Sequence, residues 1–181
     1  MSVKPKVISI AAVSGGGKTS VTNALSDRLA NSRKLFFDDY IFHESPDDLI
    51  QWVDEGADYN EWNLDPLMKD IHFLLTLKEP TAYIVIDYPF AYKNNDLKSL
   101  IDISIYIDTP LDVAMGRRIL RDFTYENSAS DIQENIRFYL DSGRRSYLEM
   151  EKTIKPESDL VIDGTLPVER IVDLIVDRLR N

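Results

Sequence analysis

Gly15-Gly16-Gly17-Lys18-Thr19-Ser20 carries the residue types that hold a chain of phosphates. Successive glycines let backbone N–H groups turn inward around an anion with no Cβ in the way. A lysine directly behind them can reach the terminal phosphates, and the Thr19 hydroxyl can ligate Mg²⁺. The elements needed to position such a loop flank it. Val7 to Val13 is an apolar run that reads as a buried strand. Val21, Ala24, Leu25 and Leu29 recur at helical spacing, so a helix begins near Lys18 and points its positive dipole end at the anion. Strand, glycine loop and helix together predict a phosphate-binding loop (P-loop), with Ser14 to Ser20 as its nucleotide-binding residues. The pattern asks for Gly six residues before Lys18 and finds Ala12, which fits if its φ is negative.

Carboxylates and arginines extend the chemistry. Moving a phosphoryl group to a hydroxyl needs a group to take the proton, and much positioned positive charge. Asp38 and Asp39, just beyond a second strand at Arg33 to Phe37, are the candidate bases. Neighbours on an extended chain point to opposite sides, so one of the two is expected to face the site. Asp87 ends a third strand at Ala82 to Ile86, where it can hold Mg²⁺ together with Thr19. Arg117 and Arg121 are four apart on a predicted helix and share a face suited to bidentate phosphate contacts. Arg137, Arg144 and Arg145, on a following long helix, read either as further phosphate ligands or as a solvated charged face. Tyr40, Phe42, Trp52, Tyr59 and Trp62, with His43 among them, could sandwich a flat base or pack beneath a long loop. Packing is the expectation for Trp52 and Trp62. The substrate-side candidates are Asp38, Asp39, Tyr40, His43 and Asp87.

The remaining elements alternate. Ile41 to Asn63 reads as loop; Asp65-Pro66 as the cap and first turn of a helix running to about Leu77 and stopped by Glu79-Pro80. Leu100 to Ile107 is a fourth strand, its apolar run broken by Asp102 and Ser104, and Asp108-Thr109-Pro110 caps the arginine helix. Phe123 to Ser130 is polar. Ser130 or Asp131 then caps one long helix with the stripe Ile132, Ile136, Tyr139, Leu140, Tyr147 and Met150. Leu160 to Ile162 is the fifth strand, and a last helix carries Val168, Ile171, Val172, Ile175 and Leu179 inward. Alternating strands and helices imply an α/β fold, a parallel sheet covered on both faces. Ligands bind such sheets at the carboxyl ends of the strands, which is where the loop, Asp38-Asp39 and Asp87 fall.

Composition bounds the class. The 181 residues suit one domain, and a net charge of −10 argues against a general nucleic-acid binder. No cysteine is present, which removes disulfides, thiolate metal sites and thiol nucleophiles and fits a cytoplasmic protein. No apolar run approaches the roughly 18 residues of a membrane helix. Lys4, Lys6 and the run behind them lack a small-residue cleavage site, so the run is expected as a strand and not a leader. No Asn-Lys-x-Asp run occurs, which removes the guanine-reading signal of small GTPases, and the length leaves little room for motor or transporter machinery.

On these residues the chain resembles the uridine kinase-like P-loop kinases, a group that includes nicotinamide riboside kinases and related small-metabolite kinases. Ile10 to Ser20, Phe37-Asp38-Asp39-Tyr40-Ile41-Phe42 and the arginine-helix segment Asp112 to Asp122 carry the resemblance, with Asp159 to Gly164 and Leu166-Pro167 as the last strand and adenine-side loop. The resemblance implies a three-layer αβα fold with a five-stranded parallel sheet of order 2-3-1-4-5. It further implies a helical lid at about 116–145, a substrate-side insertion at about 39–66, and ATP and Mg²⁺ as co-substrates. It assigns Asp38 as the catalytic base, Lys18, Arg117 and Arg121 as the other catalytic groups, and Gly164 to the nucleotide side. Tyr59 to Pro66 replaces the family's Asn-Phe-Asp-His-Pro segment, and Asp87-Tyr88-Pro89 replaces its Glu-Gly. The expected activity is transfer of the γ-phosphate of ATP to a hydroxyl of a small, nucleoside-like metabolite by a monomer or small homo-oligomer. The rival expectations are a nicotinamide riboside or other non-nucleoside metabolite kinase, and a nucleotide-binding regulatory protein without catalysis.

Overall fold

The computed structural model describes residues 4–77 and 81–180. Five parallel strands form one sheet in the order β2-β3-β1-β4-β5: β1 Lys6–Ala11, β2 Ser32–Phe36, β3 Tyr83–Asp87, β4 Ile103–Asp108 and β5 Leu160–Asp163. The helices are α1 Lys18–Arg28, α2 Leu49–Asp54, α3 Asp65–Thr76, α4 Leu111–Asp122, α5 Ala129–Phe138, α6 Arg144–Thr153 and α7 Val168–Arg180.

β1 is central because it is apolar on both sides, and its alternation sorts the core into two layers. Ile8 and Ile10 face α1 and α7, where Val21, Leu25, Ile171, Val172 and Ile175 bury against Val85 and Ile105. Each such side chain contributes about 1.5–3 kcal/mol on leaving water. Val7 and Ala11 face the other way, into a layer built by Leu67 and Ile71 of α3, Ile84, Ile86, Tyr106 and an aromatic group. The register sets Asp87 beside Ile10, so the end of β3 lies next to the start of the glycine loop. Asp102 stands just ahead of β4, where its carboxylate accepts the Val7 N–H at 2.8 Å.

Several expectations change. The segment after Tyr40 is not plain loop: Asp48 caps α2 by accepting from the N–H groups of Ile50 and Gln51, and Tyr59–Glu61 forms a 3₁₀ turn. Trp52 is buried there, edge-on to Tyr59 and Trp62, as packing predicts. Asp65 lies inside α3; Asn63 caps its N–H from outside. Glu79-Pro80 lies outside the described residues. Ser128, not Ser130 or Asp131, opens α5, through a reciprocal capping box with Asp131. The long helix is broken by a π-turn, Tyr139–Gly143, between α5 and α6. An extra residue in that turn rotates the following face. Tyr139 and Tyr147 are buried, while Ile136 and Leu140 stand exposed.

Candidate active site

The loop after β1 needs glycine at two positions. Gly15 sits at φ +78° and Gly17 at φ +100°, the left-handed region. Gly15 has a second constraint, since a Cβ there would stand 2.1 Å from the Ala114 carbonyl oxygen of α4. Ala12 is not among the residues with positive φ, so alanine replaces glycine without backbone strain. Its Cβ fills the space left by Gly16, where a second Cβ would approach to 2.7 Å.

α1 starts at Lys18, with the loop's N–H groups at its positive end. Lys18 Nζ stands 4.0 Å from Asp87 Oδ1, and the Thr19 hydroxyl donates to Asp87 Oδ2 at 2.7 Å. Burial raises the Asp87 carboxyl above its ordinary value. Lys18 and the Thr19 hydroxyl pull it back, and the charges of Asp38 and Asp39 push it further up. Both aspartates thus lie within electrostatic reach of Asp87. The expectation that one of them faces away rested on an extended chain, and residues 37–39 form a 3₁₀ turn instead.

A cavity of about 570 Å³ opens over the loop, lined by Gly15 to Val21, Arg117, Arg121, Gly164, Leu166 and Val168 among others. Arg117 Nη1 donates to the Gly164 carbonyl at 3.0 Å. Arg121 grips its neighbour Asp122 through two bonds, 2.6 and 3.2 Å, which raises the guanidinium pKa; Asp38 adds to that rise. Thr109 Oγ1 donates to the Gly16 carbonyl at 2.9 Å and packs against Gly164, where a Cβ would fall 1.9 Å from that oxygen. Thr109 thereby ties the glycine loop to the turn after β5.

The fold therefore gathers Gly15, Gly16, Gly17, Lys18, Thr19, Ser20, Asp87, Arg117, Arg121 and Gly164 at the carboxyl edge of the sheet, with Asp38 and Asp39 beyond Asp87. Ser14 is exposed outside the cavity lining. Tyr40 turns its hydroxyl to Asp70 at 2.8 Å, and burial followed by that bond raises its pKa. His43 is exposed in the segment ahead of α2. Arg145 pairs with Asp54 of α2 at 2.7 Å on the protein surface. Sequence reasoning gave no site role to three residues. Thr109 was read only as part of a cap. Asn94 is buried and donates to the carbonyls of Tyr59 and Trp62 at 3.0 and 3.1 Å, pinning the aromatic segment to the core. Arg118 bonds Asn135, has its Cβ beside Gly15 and keeps its Nε buried; its place in Arg117-Arg118-Ile-Leu-Arg121 was the available signal.

A parallel sheet of this order with a glycine loop after its central strand defines the P-loop kinase fold. Two solved structures share that fold. A sugar kinase from Janibacter sp. HTCC2649 has a TM-score of 0.57 at 17% identity, covering 97% of this chain and 95% of that one. A gluconokinase from Sinorhizobium meliloti 1021 has a TM-score of 0.50 at 18% identity, covering 93% and 88%. The chain belongs to the phosphoribulokinase / uridine kinase family, whose model matches residues 58–169. Among relatives, a uridine kinase from Bacillus pumilus (strain SAFR-032) is 27% identical over 210 residues, spanning 100% of this chain and 97% of the relative. One from Geobacillus sp. (strain WCH70) is 24% identical over 205 residues, spanning 100% and 96%. Among the described residues, no helix is long and apolar enough to cross a membrane.

Proposed function

We propose that this protein is an ATP-dependent phosphotransferase that moves the γ-phosphate of ATP to a hydroxyl of a small, nucleoside-like metabolite. One observation carries the reading: Lys18, Thr19 and Asp87 meet at the mouth of the glycine loop, with Arg117 and Arg121 lining the same cavity. The loop's N–H groups hold the triphosphate and Lys18 takes its terminal oxygens. Thr19 and Asp87 suit Mg²⁺: two hard oxygens side by side, the carboxylate buried and under-compensated by Lys18. Among the described residues no group of three or more His, Cys, Asp or Glu could hold a metal, which fits an ion completed by phosphate and water oxygens. When bound, Mg²⁺ supplies charge neutralisation across the transferring phosphates.

Asp38 accepts the acceptor's hydroxyl proton; it has the resemblance and the reach to Arg121 in its favour over Asp39. The acceptor oxygen then bonds to the γ-phosphorus as the bond to the β,γ-bridging oxygen breaks, and that electron pair leaves with ADP. Arg117 and Arg121 hold the charge spread over the group in transit, on a lid at about 116–145 that closes and reopens. The segment at about 39–66 frames the acceptor. The setting is a cytoplasmic monomer or small homo-oligomer acting on small molecules, without nucleic acid or membrane.

A second reading has an observation behind it. Residues 38–70 carry eleven acidic side chains against one lysine, a net −10 equal to that of the whole chain. Such a field favours a cationic acceptor over an anionic one. Nicotinamide riboside, with its pyridinium ring, fits that field and the aromatic group of Phe37, Phe42, Trp62 and Phe90. The test is ADP release with uridine, cytidine, nicotinamide riboside, pantothenate, gluconate and free sugars, with Lys18→Ala as control. Turnover with a nucleoside and loss in the variant support the reading. Stimulation by no acceptor would leave a nucleotide-binding regulatory protein.

A further inference from the structure

The peptide between Gly16 and Gly17 has no side chain on either flank. Such a unit is the easiest in a chain to turn over, because glycine admits both signs of φ and no Cβ opposes the rotation. Its direction matters in this loop. The bond is trans, so its carbonyl and its N–H point opposite ways. One orientation presents a donor to the cavity over the loop, and the other presents a carbonyl oxygen that repels an anion. The structure holds the first. Thr109 Oγ1 donates to the Gly16 carbonyl at 2.9 Å. Thr109 is 2% exposed and stands outside the cavity lining, to which Gly16 and Gly17 both belong. The carbonyl is therefore turned into the protein and the Gly17 N–H toward the cavity.

Gly164 shows what room that hydroxyl needs. Its φ is not in the left-handed region, so the backbone there does not call for glycine. A Cβ would instead fall 1.9 Å from Thr109 Oγ1, with Ile107 Cγ2 next at 2.9 Å. The Gly164 N–H donates to the Asp108 carbonyl at 2.9 Å, which keeps this turn beside Thr109. Resting on the phosphotransferase reading, we infer that Thr109 is a positioning residue whose hydroxyl locks the Gly16–Gly17 peptide, so that the Gly17 N–H stays aimed at the phosphates. Thr109 touches no phosphate itself and acts through the peptide. Without the bond, the buried Gly16 carbonyl loses its partner and the peptide is released to turn. The empty loop then divides between two orientations, and nucleotide binds only the fraction that presents the N–H.

Thr109→Val keeps the shape and removes the donor, and Thr109→Ser keeps the donor. The measurement is the affinity of each for Mg²⁺ with a non-hydrolysable ATP analogue, followed by steady-state rates. The valine variant should bind the analogue about 10–100-fold more weakly, the worth of one hydrogen bond to a charged group. The KM for ATP should rise with it while kcat changes less than about threefold, because saturating nucleotide draws the peptide back. The acceptor KM should stay unchanged, and Thr109→Ser should recover most of the lost affinity. Gly164→Ala, which displaces the hydroxyl from the other side, should weaken the analogue in the same way and serves as the second route if the valine variant folds poorly. Equal affinity of wild type and both variants that break the bond, a loss shared alike by ATP and acceptor, or no recovery with serine would mean that the bond only supports packing. Any of these would overturn the assignment while leaving the phosphotransferase reading intact. Wild-type protein that binds no nucleotide would overturn both.

Discussion

Gly15→Ala isolates the contact between the glycine loop and α4. The Cβ would stand 2.1 Å from the Ala114 carbonyl oxygen and 3.3 Å from the Arg118 Cβ, against backbone that has no rotamer to change. Relieving that overlap requires a shift of about 1 Å between loop and helix, at a φ of +78°. The left-handed backbone costs an alanine about 1–2 kcal/mol and the forced contact about 1–3 more, together about 2–5 kcal/mol, or roughly 4–20 °C in Tm for a chain of this size. Gly17→Ala is the matched control. Its φ is +100° but nothing lies within 4 Å of the new methyl, so it keeps only the backbone strain, about 1–2 kcal/mol or roughly 2–8 °C. Because Ala114 opens the helix carrying Arg117 and Arg121, the shift should also lower turnover by about 100-fold, the usual result of a 1 Å misplacement. Thermal melts of both variants without nucleotide, followed by ADP-release rates, make the test. A Gly15→Ala protein that melts no lower than Gly17→Ala would refute the claim that Ala114 seats the loop.

The remaining predictions concern the carboxylates and the aromatic segment. Asp38→Asn should keep nucleotide affinity and lose turnover by about 10²–10⁴-fold, while Asp39→Asn loses far less; the reverse order in a steady-state assay would move the base to Asp39. Burial raises Asp87, so the native state binds that proton more tightly than the unfolded chain. Its cost to the nucleotide-free protein appears as pH rises from the ordinary carboxylate range through the raised native value. Melting of Asp87→Asn against pH should therefore match wild type at the acid end and exceed it above that window, with Mg²⁺-dependent nucleotide binding lost; parallel curves would show that Asp87 carries no such cost. Asn94→Ala strands the Tyr59 and Trp62 carbonyls and the N–H groups of Asp96 and Leu97. A loss of about 2–4 kcal/mol is expected in chemical denaturation, with acceptor KM raised more than ATP KM. In hydrogen exchange, Arg117 to Ser130 should slow on adding Mg²⁺ and a non-hydrolysable ATP analogue, with little change in α7; unchanged exchange would return Arg117 and Arg121 to a solvated face.

What the amino-acid order determined by itself was whatever lies close along the chain. Val7 to Ser20 announces strand, glycine loop and helix because the loop's geometry is local, and Arg117 and Arg121 share a face because helical spacing makes them do so. Alternating elements specified a parallel sheet, although its strand order came with the family resemblance and not from periodicity. Tertiary structure decided whatever depends on partners far apart in sequence. Asn94 is one polar residue in a polar run until Tyr59 and Trp62 reach it, and Thr109 is a cap residue until Gly16 and Gly164 close around it. Residues 37–39 form a 3₁₀ turn where local alternation predicts an extended chain, and the charges of both Asp38 and Asp39 act on Asp87. A π-turn interrupts the long helix, and along it Tyr139 and Tyr147 are buried while Ile136 and Leu140 stay in water. A hydrophobic stripe cannot report such a turn, because one extra residue preserves the apolar count while rotating the face. Local spacing encodes which groups are available, and only the packed chain determines which of them meet.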